Sequence, residues 1–333
     1  MTSLHAATLV LTGRDVRALL DFDQCIDAVE AAFRDHAEGR VLPAGVLGVH
    51  AGTGGFHIKA AGLVHERSYF AAKLNANFPD NPTIFELPTI QGVVALCDAT
   101  NGRLLALMDS IEITLQRTGA ATAVAAKYLA RLDSRSAAIC GCGRQGRIQL
   151  RALTRVLPLE RARVFDANPD QAVRFAREMS AELRLDVRSV ATVSEAVRGA
   201  DVCVTCTTSR EAFLMKGDVA AGTFIAAVGA DNPQKQELDP ALMASAVVVA
   251  DVLDQCVAMG DLHHAIAAGA LTRDDVHAEL ADVITGRRSG RRSPEEITIF
   301  DSTGTALEDV AAATIVYEKA AGGGVGIAVD LGI

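Results

Sequence analysis

Between residues 136 and 252 short apolar runs alternate with amphipathic stretches, and this alternation restricts the fold more than any other feature of the chain. The runs are SAAICG (136–141), ARVFD (162–166), DVRSV (186–190), DVCVTC (201–206), TFIAAVG (223–229) and AVVVADV (246–252). The early ones are separated by RQGRIQLRALTRVL and NPDQAVRFAREMSAEL, whose apolar residues recur at helical spacing. A strand that is apolar along its length is buried on both faces, so the pattern predicts a parallel sheet with helices on each side. The expected fold class is α/β: a Rossmann-type doubly wound parallel sheet, with a second, mixed α+β domain.

That second domain is expected from the first 118 residues, which read differently. Helical patterns (GRDVRALL, QCIDAVEAAFRDHAEG) precede the glycine-rich extended segments GVLGVHAGTGGFHIKAAGL, YFAAKLNANFPDN and IQGVVALCDATNGRLLALMD. In the last of these, DATNG between two apolar runs is a hairpin signal, so this region should be mostly antiparallel. The alanine-rich stretch 113–133 connects it to the parallel region. Beyond that region, EEITIFDSTGTALEDVAAATIVYEKA predicts one more strand and a helix of about four turns. The glycine-rich tail AGGGVGIAVDLGI either returns to the first domain or frays. The expected division is 1–118, joined by 305–333, and 119–304.

Within ICGCGRQGRIQL, Gly141, Gly143 and Gly146 have the spacing G-x-G-x-x-G directly after an expected strand and at the start of an expected helix. The first glycine permits a tight turn, the second lets a pyrophosphate approach the backbone, and the third lets helix and strand pack closely. Free N–H groups and the positive dipole end at the helix start then receive the phosphates. Arg144 and Gln145 lie inside the motif and belong to the same expected cofactor set. Asp166 ends the second run, 25 residues after Gly141, where an acid accepts from ribose hydroxyls and repels a 2′-phosphate. The expected cofactor is therefore NAD rather than NADP; the plainer alternative is a glycine turn with Asp166 as a helix cap.

Half the residues are hydrophobic and 22% are charged, which suits a large core. With 32 Lys and Arg against 41 Asp and Glu the net charge is −9, the wrong sign for a nucleic-acid partner. The basic cluster GRRSGRRS (286–293) lies beside PEE and reads as a solvated loop. No run reaches the about 18 apolar residues of a membrane span, and the start has no basic segment or cleavage site. Seven cysteines in apolar surroundings fit reduced thiols and a cytoplasmic location. Cys140 with Cys142, and Cys203 with Cys206, lack clustered histidines. As strand residues the first pair would share a face and the second would not, so no metal is expected.

Several motifs together resemble the ornithine cyclodeaminase/mu-crystallin family. They are KLNANFPDNP (73–82), LPTIQGVVALCDATNGRLLALMD (87–109), TLQRTGAATAVAAKYLAR (114–131), GCGRQG, VGADNPQKQELD and ITIFDSTGTALEDVAAA, in the family's order from about residue 10 to 320. The resemblance implies a homodimer joined through the non-nucleotide domain 1–118 with 305–333, which also binds substrate, and an NAD(P)-binding domain 119–304. Family members include cyclodeaminases, alanine dehydrogenase-like enzymes, reductases of cyclic ketimines and a hormone-binding crystallin.

Position by position, the resemblance makes Lys73 and Arg117 binders of a substrate carboxylate. A lysine in an apolar extended segment and an arginine at the entry to an alanine-rich helix suit that role, since both lack sequence-local partners. The alternatives are a solvent-facing strand lysine and an interdomain salt bridge. Lys59 is a third candidate cation, and Thr118 offers a hydroxyl to cofactor or substrate. Asp231 matches the family's catalytic acid. It lies just past an apolar run, at the edge where open α/β sheets bind ligands, where it exchanges a proton with substrate nitrogen. The following helix is expected near LDPALM, capped by Asp239, which leaves Asp231 free of that duty. Lys235 matches a residue beside the cofactor. Thr205 and Thr207 in TCTTS, Val228 at the end of its run and Ser302 in DSTG complete the expected cofactor set.

Where cyclodeaminases present an arginine and a glutamate around residues 45–60, this chain has GVLGVHAGTGGFHIKAAG, without either. That favours a smaller or already cyclic amino or imino acid. The leading expectation is an NAD(P)-dependent oxidoreductase acting at the Cα–N bond. An ornithine cyclodeaminase and a non-enzymatic crystallin-like binder are the alternatives.

Overall fold

The computed structural model describes residues 7–331; residues 1–6, on which part of the reading of the chain's start rests, and the last two of the tail lie outside. Two compact units divide the chain. One runs to Ala120 and resumes at Thr305, and the other spans Ala121–Gly304.

The first unit is built on a seven-stranded sheet. Its order is Ile327–Val329, Thr8–Leu11, Leu104–Asp109, Ile90–Asp98, Tyr69–Asn77, Gly54–Leu63, Val41–Ala51. All neighbours are antiparallel except Thr8–Leu11 beside Leu104–Asp109. The expected hairpin across DATNG is present, and the tail returns to pair with Thr8–Val10. Alternation gives the sheet two faces. Tyr69, Ala71 and Lys73 are buried on one, against the helix Ala306–Gly323, while Leu74 is exposed on the other. That helix begins with a capping box. The Thr305 hydroxyl accepts the Glu308 N–H, and the Glu308 carboxylate accepts the Thr305 N–H at 3.1 Å.

The second unit holds an eight-stranded, wholly parallel sheet. Its order is Ala278–Glu279, Val247–Ala250, Thr298–Asp301, Phe224–Ala227, Val202–Thr205, Ser136–Cys140, Arg161–Phe165, Asp186–Ser189. Every residue of the four strands starting at Ser136, Val202, Phe224 and Thr298 is buried, whereas exposed residues alternate into Arg161–Phe165 near the edge. The order reverses between Ser136–Cys140 and Val202–Thr205, which makes their carboxyl ends the topological switch point. The architecture is the α/β class with a Rossmann-type parallel sheet and a second mixed sheet.

Two local expectations change. Strand Ser136–Cys140 stops at Cys140, so Cys142 lies in the following turn and the shared-face argument for that pair does not apply. Arg287, Arg288 and Arg292 of the basic cluster are exposed as expected, but Arg291 is only half-exposed: it turns inward and donates to the Leu129 carbonyl at 2.8 Å and the Thr298 hydroxyl at 2.8 Å.

Candidate functional site

The first unit gathers a buried group of charges on the inner face of its sheet. Lys59 and Lys73 are directly opposed across antiparallel strands, and both are buried. The Lys73 ammonium lies 3.0 and 2.7 Å from the two oxygens of Asp309. Arg117 donates through Nε to Asp309 at 3.0 Å and through Nη1 to Glu308 at 2.8 Å. Glu308 and Asp309 stand in the first turn of the helix Ala306–Gly323, where acidic side chains complement the dipole. Lys73 is thus not a solvent-facing strand lysine, and Glu308 and Asp309, with which Arg117 pairs, belong to its own unit. Arg117 also sits two turns inside the helix Ser110–Leu129 rather than at its start. Thr118 is buried, and its hydroxyl donates to the Thr114 carbonyl at 2.7 Å.

Electrostatics follow from this packing. Burial, with the charges of Arg117 and Lys59, pushes the Lys73 ammonium down to about 8 despite Asp309. Burial would raise Asp309, yet Lys73 and Arg117 outweigh it and hold the carboxyl below its usual value. Lys73 and Arg117 thus share the carboxylates of Glu308 and Asp309, and Lys59 places a third buried cation on the same face.

In the second unit the three glycines occupy three different environments. Gly141 has φ +107°, and a Cβ on it would lie 2.7 Å from the Cys206 carbonyl oxygen. A Cβ on Gly143 meets nothing within 4 Å, so its surface is open to a ligand. A Cβ on Gly146 would lie 2.1 Å from the Gly141 carbonyl oxygen, so only glycine allows that closeness. Gly143 precedes the helix Arg144–Val156 without a side-chain cap, while Arg144 is exposed and Gln145 half-buried in its first turn. This uncapped start and the open cradle at Gly143 suit a pyrophosphate. Asp166 directly follows Arg161–Phe165 and accepts the Cys142 N–H at 2.8 Å, which ties it to the glycine loop. It does not cap the next helix; Asn168 does. No basic residue occurs in DANPDQAV (166–173) to receive a 2′-phosphate.

The other expected cofactor residues line the carboxyl edge of the same sheet. Thr205 ends its strand fully buried, and Val228 N–H donates to the Thr205 carbonyl at 2.9 Å. Thr207 turns both its N–H and its hydroxyl onto Glu237, at 2.6 and 2.7 Å. Ser302 N–H donates to the Ala227 carbonyl at 2.9 Å. Asp231 is exposed in the loop after Phe224–Ala227, and the Lys235 ammonium lies 2.8 Å from its Oδ1. As expected, the helix that follows starts at Pro240 with Asp239 as its cap.

Glu237, Glu308 and Asp309 are the residues that sequence reasoning missed. The signal for the last two was the pair ED three residues into a capping box, TALED, and it pointed only to a helix start.

The family model described as the ornithine cyclodeaminase/mu-crystallin family matches residues 6–324. This chain belongs to that family. An archaeal alanine dehydrogenase dimer with bound NAD superposes with a TM-score of 0.93 at 38% identity, covering 97% of this chain and 99% of that one. The Δ1-pyrroline-2-carboxylate reductase of Thermococcus litoralis, in complex with NADH and L-proline, gives 0.92 at 35% identity, covering 97% and 100%. A lysine cyclodeaminase studied for recognition of L-lysine, L-ornithine and L-2,4-diaminobutyric acid gives 0.85 at 33% identity, covering 98% and 96%.

Proposed function

We propose that this chain is a nicotinamide-dependent oxidoreductase acting at the Cα–N bond of a small α-amino or α-imino acid. The observation that carries the reading is the buried pair Lys73 and Arg117, two cations that converge on a single carboxylate, that of Asp309, as they would on a substrate carboxylate. Lys59 adds a third cation from the opposed strand. When bound, the nicotinamide supplies or accepts the hydride at Cα. The remaining work falls to the chain. Lys73 and Arg117 hold the carboxylate, while Asp231 donates a proton to nitrogen in reduction and removes one in oxidation.

Gly141, Gly143 and Gly146, with Arg144, Gln145, Thr205, Thr207, Val228, Lys235, Ser302 and Thr118, are assigned to the dinucleotide. Asp166 and the absence of a cation in 166–173 favour NAD over NADP. All seven cysteines are free thiols, which fits a cytoplasmic setting. No helix among the described residues is long and apolar enough to cross a membrane. The exposed row of Leu47, Leu74 and Val93 on the outer sheet face suits a homodimer, as in the alanine dehydrogenase relative.

Similarity to the lysine cyclodeaminase supports a second reading, in which a distal amine attacks the oxidised carbon and ammonia leaves. Against it, the inner-face positions beside Lys59 carry His57 and no acid to hold that amine. A third reading, a binder without turnover, leaves Asp231 and Lys235 without work. The experiment is Asp231→Asn: turnover should fall about 100-fold or more while NADH affinity stays within about twofold. Undiminished turnover removes Asp231 from the chemistry.

A further inference from the structure

Glu237 has no exposed surface, and both its carboxylate oxygens are used. Oε1 accepts the Thr207 N–H at 2.6 Å and the Thr207 hydroxyl at 2.7 Å, while Oε2 accepts the Gly229 N–H at 2.9 Å. Glu237 therefore closes the loop that begins at Gly229 and carries Asp231 and Lys235, and it ties that loop to the end of the neighbouring strand. Gly229 leaves the room for this, since a Cβ there would lie 2.4 Å from the Glu237 carboxylate. The loop is anchored from below as well. The Glu237 and Leu238 N–H groups donate to buried Asp261 at 2.8 and 2.9 Å. The Asp261 and Leu262 N–H groups donate in turn to buried Asp301 at 3.2 and 3.0 Å. His264 Nε2 donates to the Lys235 carbonyl at 2.9 Å. Among the described residues no lysine, arginine or histidine contributes a hydrogen bond to the Glu237 carboxylate, so two backbone amides and the Thr207 hydroxyl offset its burial.

We propose that Glu237 is the positioning residue for Asp231: its carboxylate fixes both ends of the loop and so sets where the proton-transfer group stands. The inference rests on the assignment of Asp231 to proton transfer. A carboxylate only accepts, which suits converging N–H and O–H donors; a glutamine would turn an NH2 toward at least one of them. Asp231 is exposed and pairs with Lys235 on the same loop, so a loosened loop moves the pair together.

The test is Glu237→Gln in the full-length enzyme, read as kcat against KM at saturating NADH. Asp231→Asn, measured alongside, tests the assignment of Asp231; the ratio of Glu237→Gln to parent tests Glu237. The expected result is a kcat lowered about tenfold or more with KM for the amino or imino acid within about twofold, the pattern of a transition-state interaction lost. A kcat within twofold of the parent, or a loss confined to KM, overturns the proposal. If Glu237→Gln does not fold, Gly229→Ala decides, since its Cβ would lie 2.4 Å from the Glu237 carboxylate and drives it off the Gly229 N–H without touching a residue assigned to substrate or cofactor. A lowered kcat with KM unchanged supports the proposal, and an unchanged kcat overturns it.

Discussion

Lys59 and Lys73 stand directly opposite one another across neighbouring antiparallel strands, both buried on the face that the helix Ala306–Gly323 covers. Like charges so placed are destabilising. Glu308 and Asp309 offset part of that repulsion, and Arg117 on the same acids restores it. Burial first, then Arg117 and to a lesser degree Lys59, leave a lysine whose proton is held weakly, at about 8 rather than 10.5.

Anion binding should therefore depend on pH. Lys73 is an ammonium below about 8 and neutral above it. The inhibition constant of a simple carboxylate that lacks an amine should rise as pH passes from about 7 to about 9, with NADH affinity flat. Stability has the opposite sign. Between about 8 and 10.5 the unfolded chain binds a proton that the folded chain has lost, so Lys73 contributes rising stability with pH across that window. Inhibition measured across pH checks the first statement and urea unfolding the second.

Arg117→Met leaves Glu308 with a lost partner and Asp309 with one fewer, both fully buried. Removing one member of a buried ionic group costs about 3 kcal/mol or more. Adding Glu308→Gln to that variant should recover part of the loss, because one stranded charge is gone. Denaturant unfolding of the two single variants and the double variant measures the coupling.

The glycine loop gives a paired prediction. Gly146→Ala drives a Cβ to 2.1 Å from the Gly141 carbonyl and should lower the melting temperature. Gly143→Ala meets nothing in the protein. It should melt like the parent yet bind NADH about tenfold more weakly, because the methyl fills the space left for pyrophosphate. Calorimetry on both variants separates packing from binding.

The outer face of the first unit's sheet tests assembly. Leu74 and Val93 are paired across adjacent strands and both are exposed. Replacing each with glutamate puts two like charges on that row. The parent should scatter light as a dimer and the variant as a monomer.

Legibility in the sequence followed the range of the interactions. The parallel sheet was readable because each strand is one unbroken apolar run, and the glycine motif because its turn, cradle and helix start lie within a few residues. Lys73 stood out as a cation without local partners; its partner Asp309 lies 236 residues further on, so no local pattern could supply it. Glu237 lies in the same short motif as Asp231, yet its carboxylate reaches back eight residues to Gly229 and thirty to Thr207. The inward turn of Arg291 was hidden for the same reason, since its acceptor at Leu129 lies 162 residues away.

The most direct test of the central claim is a substrate panel scored separately for NADH absorbance and for ammonia release. The account predicts that NADH is consumed when a cyclic ketimine acid, or pyruvate with ammonia, is supplied. Conversion of ornithine to proline with ammonia released and no net change in NADH, alongside no NADH consumption on those substrates, would contradict it.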